Sequence, residues 1–159
     1  MDNITDNLTD STRGLLNRAR MLCAGSEQCR SALQRKLTDW GATTDEAEIV
    51  IDRLVDEGFI DERRYARAYC ESKLLRARWG ERKVRYELMH KGIPQNIVDE
   101  CILEIAPEER LEAIRIVADK KLATLHGMEP QESRRRLTAY LVQRGYTFDE
   151  INNLNIQIE

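Results

Sequence analysis

Several features that membrane, secreted and nucleotide-binding proteins depend on are missing from this sequence. Its longest apolar run is far shorter than the roughly 20 residues that a membrane-spanning helix needs. The amino end, MDNITDNLTDST, has neither the basic region nor the apolar region of a secretory signal. The eight glycines never form GxGxxG or GxxxxGKS/T, so no phosphate-binding loop is predicted. We therefore expect a cytoplasmic protein that does not enter a membrane.

Catalytic and metal-binding arrangements are missing too. The two histidines, His90 and His126, are expected at a solvated helix end and in a loop, with no Ser/His/Asp set around them. The four cysteines form no CxxC pair, whereas zinc ligands come in closely spaced pairs. Cys70 and Cys101 fall on apolar helical positions and are predicted to be buried, reduced thiols. We predict no enzymatic activity, no cofactor and no metal site.

Aromatic residues make up only 6% of the chain and prolines number three, while 33% of the residues are charged. A charged chain rich in Leu and Ala and poor in β-branched runs is typical of an all-α protein. Apolar residues recur at helical spacing, and glycines end most of these segments. The residues predicted to cap helix amino termini include Ser26, Thr44 and Asp61.

The helical pattern occurs three times. Gly41, Gly92 and Gly145 lie 51 and 53 residues apart, each just past a predicted helix. Five positions in a common register around these glycines are apolar in all three copies: Leu33/Val84/Leu137, Leu37/Leu88/Leu141, Ala47/Val98/Ile151, Val50/Cys101/Leu154 and Leu54/Ile105/Ile158. We predict a flexible lead-in at residues 1–10 and three tandem three-helix repeats at residues 11–58, 59–106 and 107–159. Short linkers would stack these repeats into an elongated, curved array.

Charge is divided unevenly along the chain. Residues 61–91 contain ten Lys/Arg and five Asp/Glu, whereas both flanks carry a net charge of −4. A charged run is often a solvated helix face with i, i+4 pairs, but solvation does not explain this division. Uncompensated arginines favour a phosphate backbone or an acidic protein surface as partner. The predicted partner-binding or DNA-binding residues are Arg64, Arg67, Lys73, Arg76, Arg78, Arg82, Lys83, Arg85 and Lys91.

Trp79 lies between Arg78 and Gly80, in the middle of this basic stretch. Its indole ring could stack on a nucleic-acid base. It could equally fill a corner between two helices, and the sequence does not separate these alternatives.

The central stretch resembles the RecX family of regulatory proteins. The resemblance rests on GFIDERRYA at residues 58–66, on Tyr69 followed by Lys73, on Trp79-Gly80, and on the segment from Glu87-Leu88 to Lys91-Gly92-Ile93. Upstream, Leu33, Lys36-Leu37 and Gly41 match a further part of the family pattern, although Ser31-Ala32-Leu33 replaces its usual acidic-Leu pair. The similarity covers about residues 15–155.

This resemblance implies three tandem three-helix repeats and a non-enzymatic modulator of the RecA recombinase. Family members are thought to bind RecA filaments on single-stranded DNA and to limit filament growth, strand exchange and ATPase, and they can bind DNA directly. The expected roles are therefore in DNA repair, recombination and the SOS response, with a monomer binding the RecA filament and single-stranded or double-stranded DNA as a further partner. Two alternatives remain: a DNA-binding module that acts without RecA, and a general helical-repeat adaptor.

Overall fold

A computed structural model describes residues 8–158. Within that range the chain forms nine α-helices and no strand. They are α1 (Asp10–Gly25), α2 (Arg30–Asp39), α3 (Thr44–Asp56), α4 (Glu62–Cys70), α5 (Glu81–His90), α6 (Gln95–Glu104), α7 (Pro107–Thr124), α8 (Pro130–Gln143) and α9 (Phe148–Asn152). A π-helical segment, Glu71–Arg76, continues α4. The helices divide between Tyr65 and Ala66 into two compact units.

The predicted flexible lead-in falls partly outside the described residues, which begin at Leu8. Where the structure is described, Thr9 caps α1 by accepting a hydrogen bond from the Thr12 backbone N–H at 3.1 Å. Such a bond satisfies one of the backbone donors that a helix leaves unpaired at its amino terminus.

The first unit buries the apolar faces of α1, α2 and α3 against one another. Its core contains Leu16, Ala19, Leu33, Leu37, Ala47, Val50, Ile51, Leu54 and Ile60. The guanidinium of Arg18 lies 4.0 Å from the ring centroid of Trp40 beside this core. The helical spacing in the sequence therefore identified these helices and the faces that they bury.

Two of the predicted helix caps in this unit are wrong. The α2 helix begins at Arg30 with Cys29 as its N-cap, because the Ser26 hydroxyl instead accepts a hydrogen bond from the Gln28 side chain. The α3 helix is capped by Thr43 rather than Thr44. From Thr43 the third helical residue is Glu46, whose carboxylate accepts a hydrogen bond from the Thr43 backbone N–H and completes a capping box.

The predicted cap at Asp61 is confirmed. Its carboxylate accepts a hydrogen bond from the Arg64 backbone N–H at 3.1 Å, at the start of α4. This cap needs only one local hydrogen bond, which explains why the sequence alone located it.

The repeat register is visible in the backbone. The three aligned glycines, Gly41, Gly92 and Gly145, all have positive φ, between +81° and +96°. In each repeat the residue after the glycine donates its N–H to a carbonyl four positions before the glycine: Ala42 to Leu37, Ile93 to Leu88 and Tyr146 to Leu141. Each turn is a Schellman-type helix end, where glycine is favoured because a Cβ strains the left-handed conformation. Of the fifteen aligned apolar residues, all but Ile151 and Ile158 are buried.

Within the second unit, two glycines allow two turns to approach closely. A Cβ built on Gly80 would lie 2.0 Å from the Gly145 carbonyl carbon, and one on Gly145 would lie 2.5 Å from the Lys83 Cβ. The Gly80 N–H donates to the Arg144 carbonyl at 2.9 Å, and the Arg82 N–H donates to the Gly145 carbonyl at 3.0 Å. This glycine contact joins the amino end of α5 to the turn between α8 and α9.

Because of the glycine contact, we predict that adding a single methyl group at Gly80 strongly destabilises the fold. Gly80→Ala should lower the free energy of unfolding by about 3 kcal/mol or more, because the added Cβ meets backbone atoms that cannot move independently. Gly92→Ala is the matched control: its Cβ would enter open space and only the positive φ is penalised, by about 1 kcal/mol. Urea unfolding followed by circular dichroism measures both. Equal losses for the two variants would contradict the assigned contact.

Candidate nucleic-acid and partner interface

The basic stretch begins in the first unit and continues into the second. Among its predicted binding residues, Arg64 belongs to the first unit and the other eight to the second. Several of the nine cations form ion pairs and others do not. We therefore describe the two groups separately.

Arg64 is tied to its own unit. Its Nε donates to Glu27 at 2.5 Å, and its Nη2 donates to the carbonyls of Gly58 and Phe59 at 3.1 and 3.2 Å. The hydrogen bond that Arg64 donates to Glu27 raises the pKa of Arg64. This arginine thus closes the turn before α4, although it remains exposed on one side.

Arg67 is paired within the second unit. Its guanidinium contacts both carboxylate oxygens of Glu104, at 2.8 and 3.1 Å, which makes a bidentate ion pair between α4 and α6. That hydrogen-bonded pair raises the pKa of Arg67. Its acidic partner lies 37 residues away in sequence, so no inspection of neighbouring residues could reveal it.

Arg85 takes part in a larger network. It donates to Asp99 and, at 2.9 Å, to Glu81. Glu81 also accepts from Arg110 at 2.6 Å, and Arg110 reaches Glu150 at 2.8 Å. These partly buried side chains connect α5 to α6, α7 and α9.

Two opposed effects act on Glu81 in this network. Burial of its carboxylate raises the pKa, but the hydrogen bonds from Arg85 and Arg110 outweigh burial and lower the pKa of Glu81 overall. For Arg85, burial lowers the pKa, whereas the hydrogen bonds with Asp99 and Glu81 raise it overall. The network is therefore charged and structural at neutral pH.

Two lysines lie over the same aromatic ring. The Lys83 Nζ is 4.0 Å and the Lys73 Nζ 4.7 Å from the Trp79 ring centroid, so the two ammonium groups are within 8.7 Å of each other. Cation–π attraction to the indole holds both in place. Trp79 is itself partly buried, and its ring already carries two cations. This arrangement favours the helix-corner alternative for Trp79 over an open base-stacking platform.

A second aromatic ring extends this arrangement. Tyr69 has the Lys73 Nζ 5.6 Å and the Lys91 Nζ 5.9 Å from its ring centroid. Burial raises the pKa of the Tyr69 hydroxyl. The fold thus brings together three lysines that are up to 18 positions apart in sequence, along two rings.

Arg78 contributes mainly through its backbone. Its φ is +53°, in the left-handed region, and its carbonyl accepts hydrogen bonds from the Tyr146 hydroxyl at 2.7 Å and the Arg144 Nη2 at 3.0 Å. The Arg144 Nη2 also reaches the Ala77 carbonyl at 2.7 Å. Burial raises the pKa of Tyr146 to about 12. The Arg78 side chain borders a groove whose other wall carries glutamates of α7.

Besides Arg78, four of the predicted binding residues form no ion pair in the described part of the second unit: Lys73, Arg76, Arg82 and Lys83. We call these four the unpaired cations. Arg76 ends the π-helical segment and Arg82 is the second residue of α5, and both are exposed. The interpretation that folding leaves the arginines of the basic stretch unexplained therefore fails for Arg64, Arg67 and Arg85.

Sequence reasoning missed part of this surface. Apolar spacing would place Met89 with Val84 and Leu88 on the buried face of α5, yet 47% of Met89 is exposed, and Tyr86 is 67% exposed. The missed signal was the spacing, because Met89 and Tyr86 lie on the face opposite Val84. The π-helical segment was also missed, since no residue pattern distinguishes it from α4.

The predicted burial of Cys70 and Cys101 is confirmed. Cys29, Cys70 and Cys101 are buried free thiols, and burial raises the pKa of Cys70 to about 12. No group of His, Cys, Asp or Glu within residues 8–158 is arranged to hold a metal ion. None of the described helices is long and apolar enough to cross a membrane.

Models of known families match two parts of the chain. The model of the second three-helix domain of RecX matches residues 61–102, and that of the third three-helix domain matches residues 108–154. The boundary between these two matches falls at the linker before α7.

Curated proteins named regulatory protein RecX are similar in sequence. The one from Chlorobaculum tepidum is 31% identical over 136 residues, which cover 86% of this chain and 82% of the relative. The one from Thermus thermophilus is 34% identical over 128 residues, with 80% of each chain covered. The one from Clostridium tetani is 30% identical over 121 residues, which cover 75% of this chain. The same match covers only 55% of that relative's length.

Two solved structures share the fold. The crystal structure of RecX from Lactobacillus salivarius superposes with a TM-score of 0.81 at 20% identity, over 92% of this chain and 96% of that chain. A second, described as the crystal structure of regulatory protein RecX, gives a TM-score of 0.83 at 18% identity, over 91% of this chain and 71% of that chain. The predicted all-α helical-repeat fold is confirmed.

The Glu81 network predicts a pH-dependent stability. Glu81→Gln should cost about 1–3 kcal/mol at pH 7, because Arg85 and Arg110 lose a charged acceptor. The lowered pKa means that the native carboxylate stabilises the fold fully above its ordinary value of 4.5. That contribution is lost as the pH falls through the lowered pKa. Urea midpoints of wild type and variant should therefore converge on acidification.

The control for this experiment is Glu71→Gln, which alters an exposed glutamate of the same unit that has no ion pair in the described structure. The stability of Glu71→Gln should match that of wild type both at pH 7 and after acidification. A pH-independent gap for Glu81→Gln would contradict a charged role for this carboxylate.

Proposed function

The chain belongs to the RecX family of regulatory proteins, and we propose that it is a non-enzymatic regulator that binds RecA recombinase filaments on single-stranded DNA. In this role it limits filament growth, strand exchange and the associated ATPase. It acts as a monomer in the cytoplasm, in DNA repair, recombination and the SOS response. The relatives' shared name supports the regulatory part of this proposal.

The observation that carries the proposed contact is the set of unpaired cations. Ion pairs within the fold already account for Arg64, Arg67 and Arg85. Lys73 and Lys83 instead contact the ring of Trp79, which keeps two like charges within 8.7 Å of each other, and neither lysine has an ion pair. A phosphate group is a partner that would relieve this repulsion, and a nucleic-acid strand presents phosphates in series.

The predicted binding set divides accordingly. Lys73, Arg76, Arg82 and Lys83 are proposed to contact phosphate directly. Lys91 supports them through Tyr69. Arg67, Arg78 and Arg85 hold the turns and helices of the second unit that carry the direct contacts, and their exposed edges add to the positive potential. Arg64 holds a turn of the first unit.

The decisive assay compares RecA ATPase and strand exchange with and without this protein. We expect both activities to fall when the protein is added at a stoichiometric ratio to RecA, because a filament-bound regulator opposes further growth. A protein that only folds and is otherwise inert would change neither activity. Unchanged rates at stoichiometric protein would therefore overturn the regulatory proposal.

Neutralising two unpaired cations should weaken binding. Arg76→Gln/Arg82→Gln should reduce affinity for RecA-coated single-stranded DNA, and the slope of log Kobs against log salt should fall by about 0.7 for each lost phosphate contact. The matched control is Arg115→Gln/Lys120→Gln, which removes the same charge from exposed, unpaired positions of α7. Equal weakening by both pairs would point to net charge rather than to a site.

The alternative function is a DNA-binding module that acts without RecA, and the concentrated positive charge of residues 61–91 supports it. A salt titration separates the two. A regulator of filaments should retain affinity for RecA-coated DNA at a salt concentration that abolishes binding to naked DNA. A free-standing DNA-binding module should lose both together.

A further inference from the structure

The outward face of α5 is unusual for an exposed helix. Its exposed positions are Arg82, Tyr86, Met89 and His90, which follow the i, i+4, i+7 and i+8 spacing of one helical stripe. We call this set the α5 stripe. Val84 and Leu88 are buried on the other side of the helix. The helix therefore packs into its unit through Val84 and Leu88, and this packing does not require the stripe.

Two rings of the stripe are held together. Tyr86 and His90 stack with their centroids 6.0 Å apart and an angle of 6° between the ring planes. Tyr86 is 67% exposed and Met89 is 47% exposed. Rings that are already ordered lose little conformational freedom on binding. Apolar side chains at i and i+3 of a surface helix are typical anchors of a helix that lies in a partner's groove.

Charge on α5 favours one kind of partner. The stripe contains no carboxylate, and Arg82 lies at its amino end. The two glutamates of the helix lie outside the stripe: Glu81 binds Arg85 and Arg110, and Glu87 is half-buried. A partner that complements the stripe is apolar beside Tyr86 and Met89 and negatively charged beside Arg82.

The stripe also adjoins the proposed phosphate contacts. Arg82 and Lys83 precede Tyr86 by about one helical turn, so α5 presents cations at its amino end and apolar rings at its carboxyl end. A bare strand offers phosphates and bases but no apolar protein groove. A strand coated by protein offers phosphates and a protein surface side by side. The phosphates suit the cations at the amino end of α5, and the protein surface suits the rings at its carboxyl end.

We propose that Tyr86, Met89 and His90 of the α5 stripe dock into an apolar groove of the protein that coats the strand, while the unpaired cations, Arg82 among them, contact the strand itself. This inference rests on the proposed function and deepens it, because it explains preference for a coated strand over a naked one. Tyr86 and Met89 are the anchors, and the Tyr86–His90 stack orders the larger of the two.

The test uses the full chain with Tyr86→Ala/Met89→Ala. Binding is measured by fluorescence anisotropy with a labelled single-stranded oligonucleotide, either naked or fully coated with RecA. We expect about tenfold weaker affinity for the coated strand, and unchanged affinity for the naked strand, because only the protein contact is lost. Sedimentation and circular dichroism should match those of wild type.

The control removes equally exposed apolar surface elsewhere in the same unit. Leu103→Ala/Phe148→Ala changes residues of α6 and α9 that are 80% and 60% exposed, and should leave both affinities unchanged. Tyr86→Phe should also bind normally, because the ring is retained. If the double variant folds poorly, the single variants Tyr86→Ala and Met89→Ala should each show part of the loss.

Every other outcome overturns the inference in a recognisable way. An equal loss on the naked strand would assign the stripe to nucleic acid. If wild type is a dimer and the double variant is a monomer, the stripe would be assigned to contact with a second copy of this chain. Normal binding of the variant to the coated strand would show that nothing docks there. If wild type itself does not bind the coated strand, the proposed function falls, and this inference with it.

Discussion

The close approach of two glycines is the contact on which the second unit depends. Because Gly80 and Gly145 have no side chains, the start of α5 and the turn after α8 touch through their backbones and exchange hydrogen bonds. The left-handed Arg78 is held in the same place by Tyr146 and Arg144. This rigid corner fixes the direction of α5, and with it both the unpaired cations and the α5 stripe.

Charge in the basic stretch serves two purposes that the fold separates. Arginines on faces that meet another helix form ion pairs, as Arg67 does with Glu104 and Arg85 with Asp99. The partly buried Arg85 pair is costly to break, because the remaining charge is left without a partner. The Arg67 pair is exposed and contributes less to stability. Lys73 and Lys83 have only an aromatic ring for a partner, which leaves their charge available to an anion. The excess of positive charge is thus smaller at the surface than the composition suggests.

Periodicity predicted most of the fold because it reports burial directly. The columns through Leu37, Leu88 and Leu141 are buried, and the glycines four residues later have the positive φ that a helix-ending turn requires. Cap positions were less predictable. Whether Thr43 or Thr44 caps α3 depends on which threonine is followed, three residues later, by an acid. Glu46 stands in that position after Thr43, and its carboxylate accepts a hydrogen bond from the Thr43 backbone N–H. The π-helical segment has no signature in spacing at all.

For the candidate interface, the sequence by itself determined that residues 61–91 are basic, helical and similar to one family. It also determined the repeat, because helix periodicity and turn glycines are local properties of the chain. Only the tertiary structure decided which cations are paired, since the carboxylates that neutralise Arg64 and Arg67 lie 37 residues away in sequence. It likewise placed two lysines on Trp79 and left Tyr86 and Met89 exposed. Pairing depends on which helix faces meet, and that is fixed by packing rather than by any local pattern.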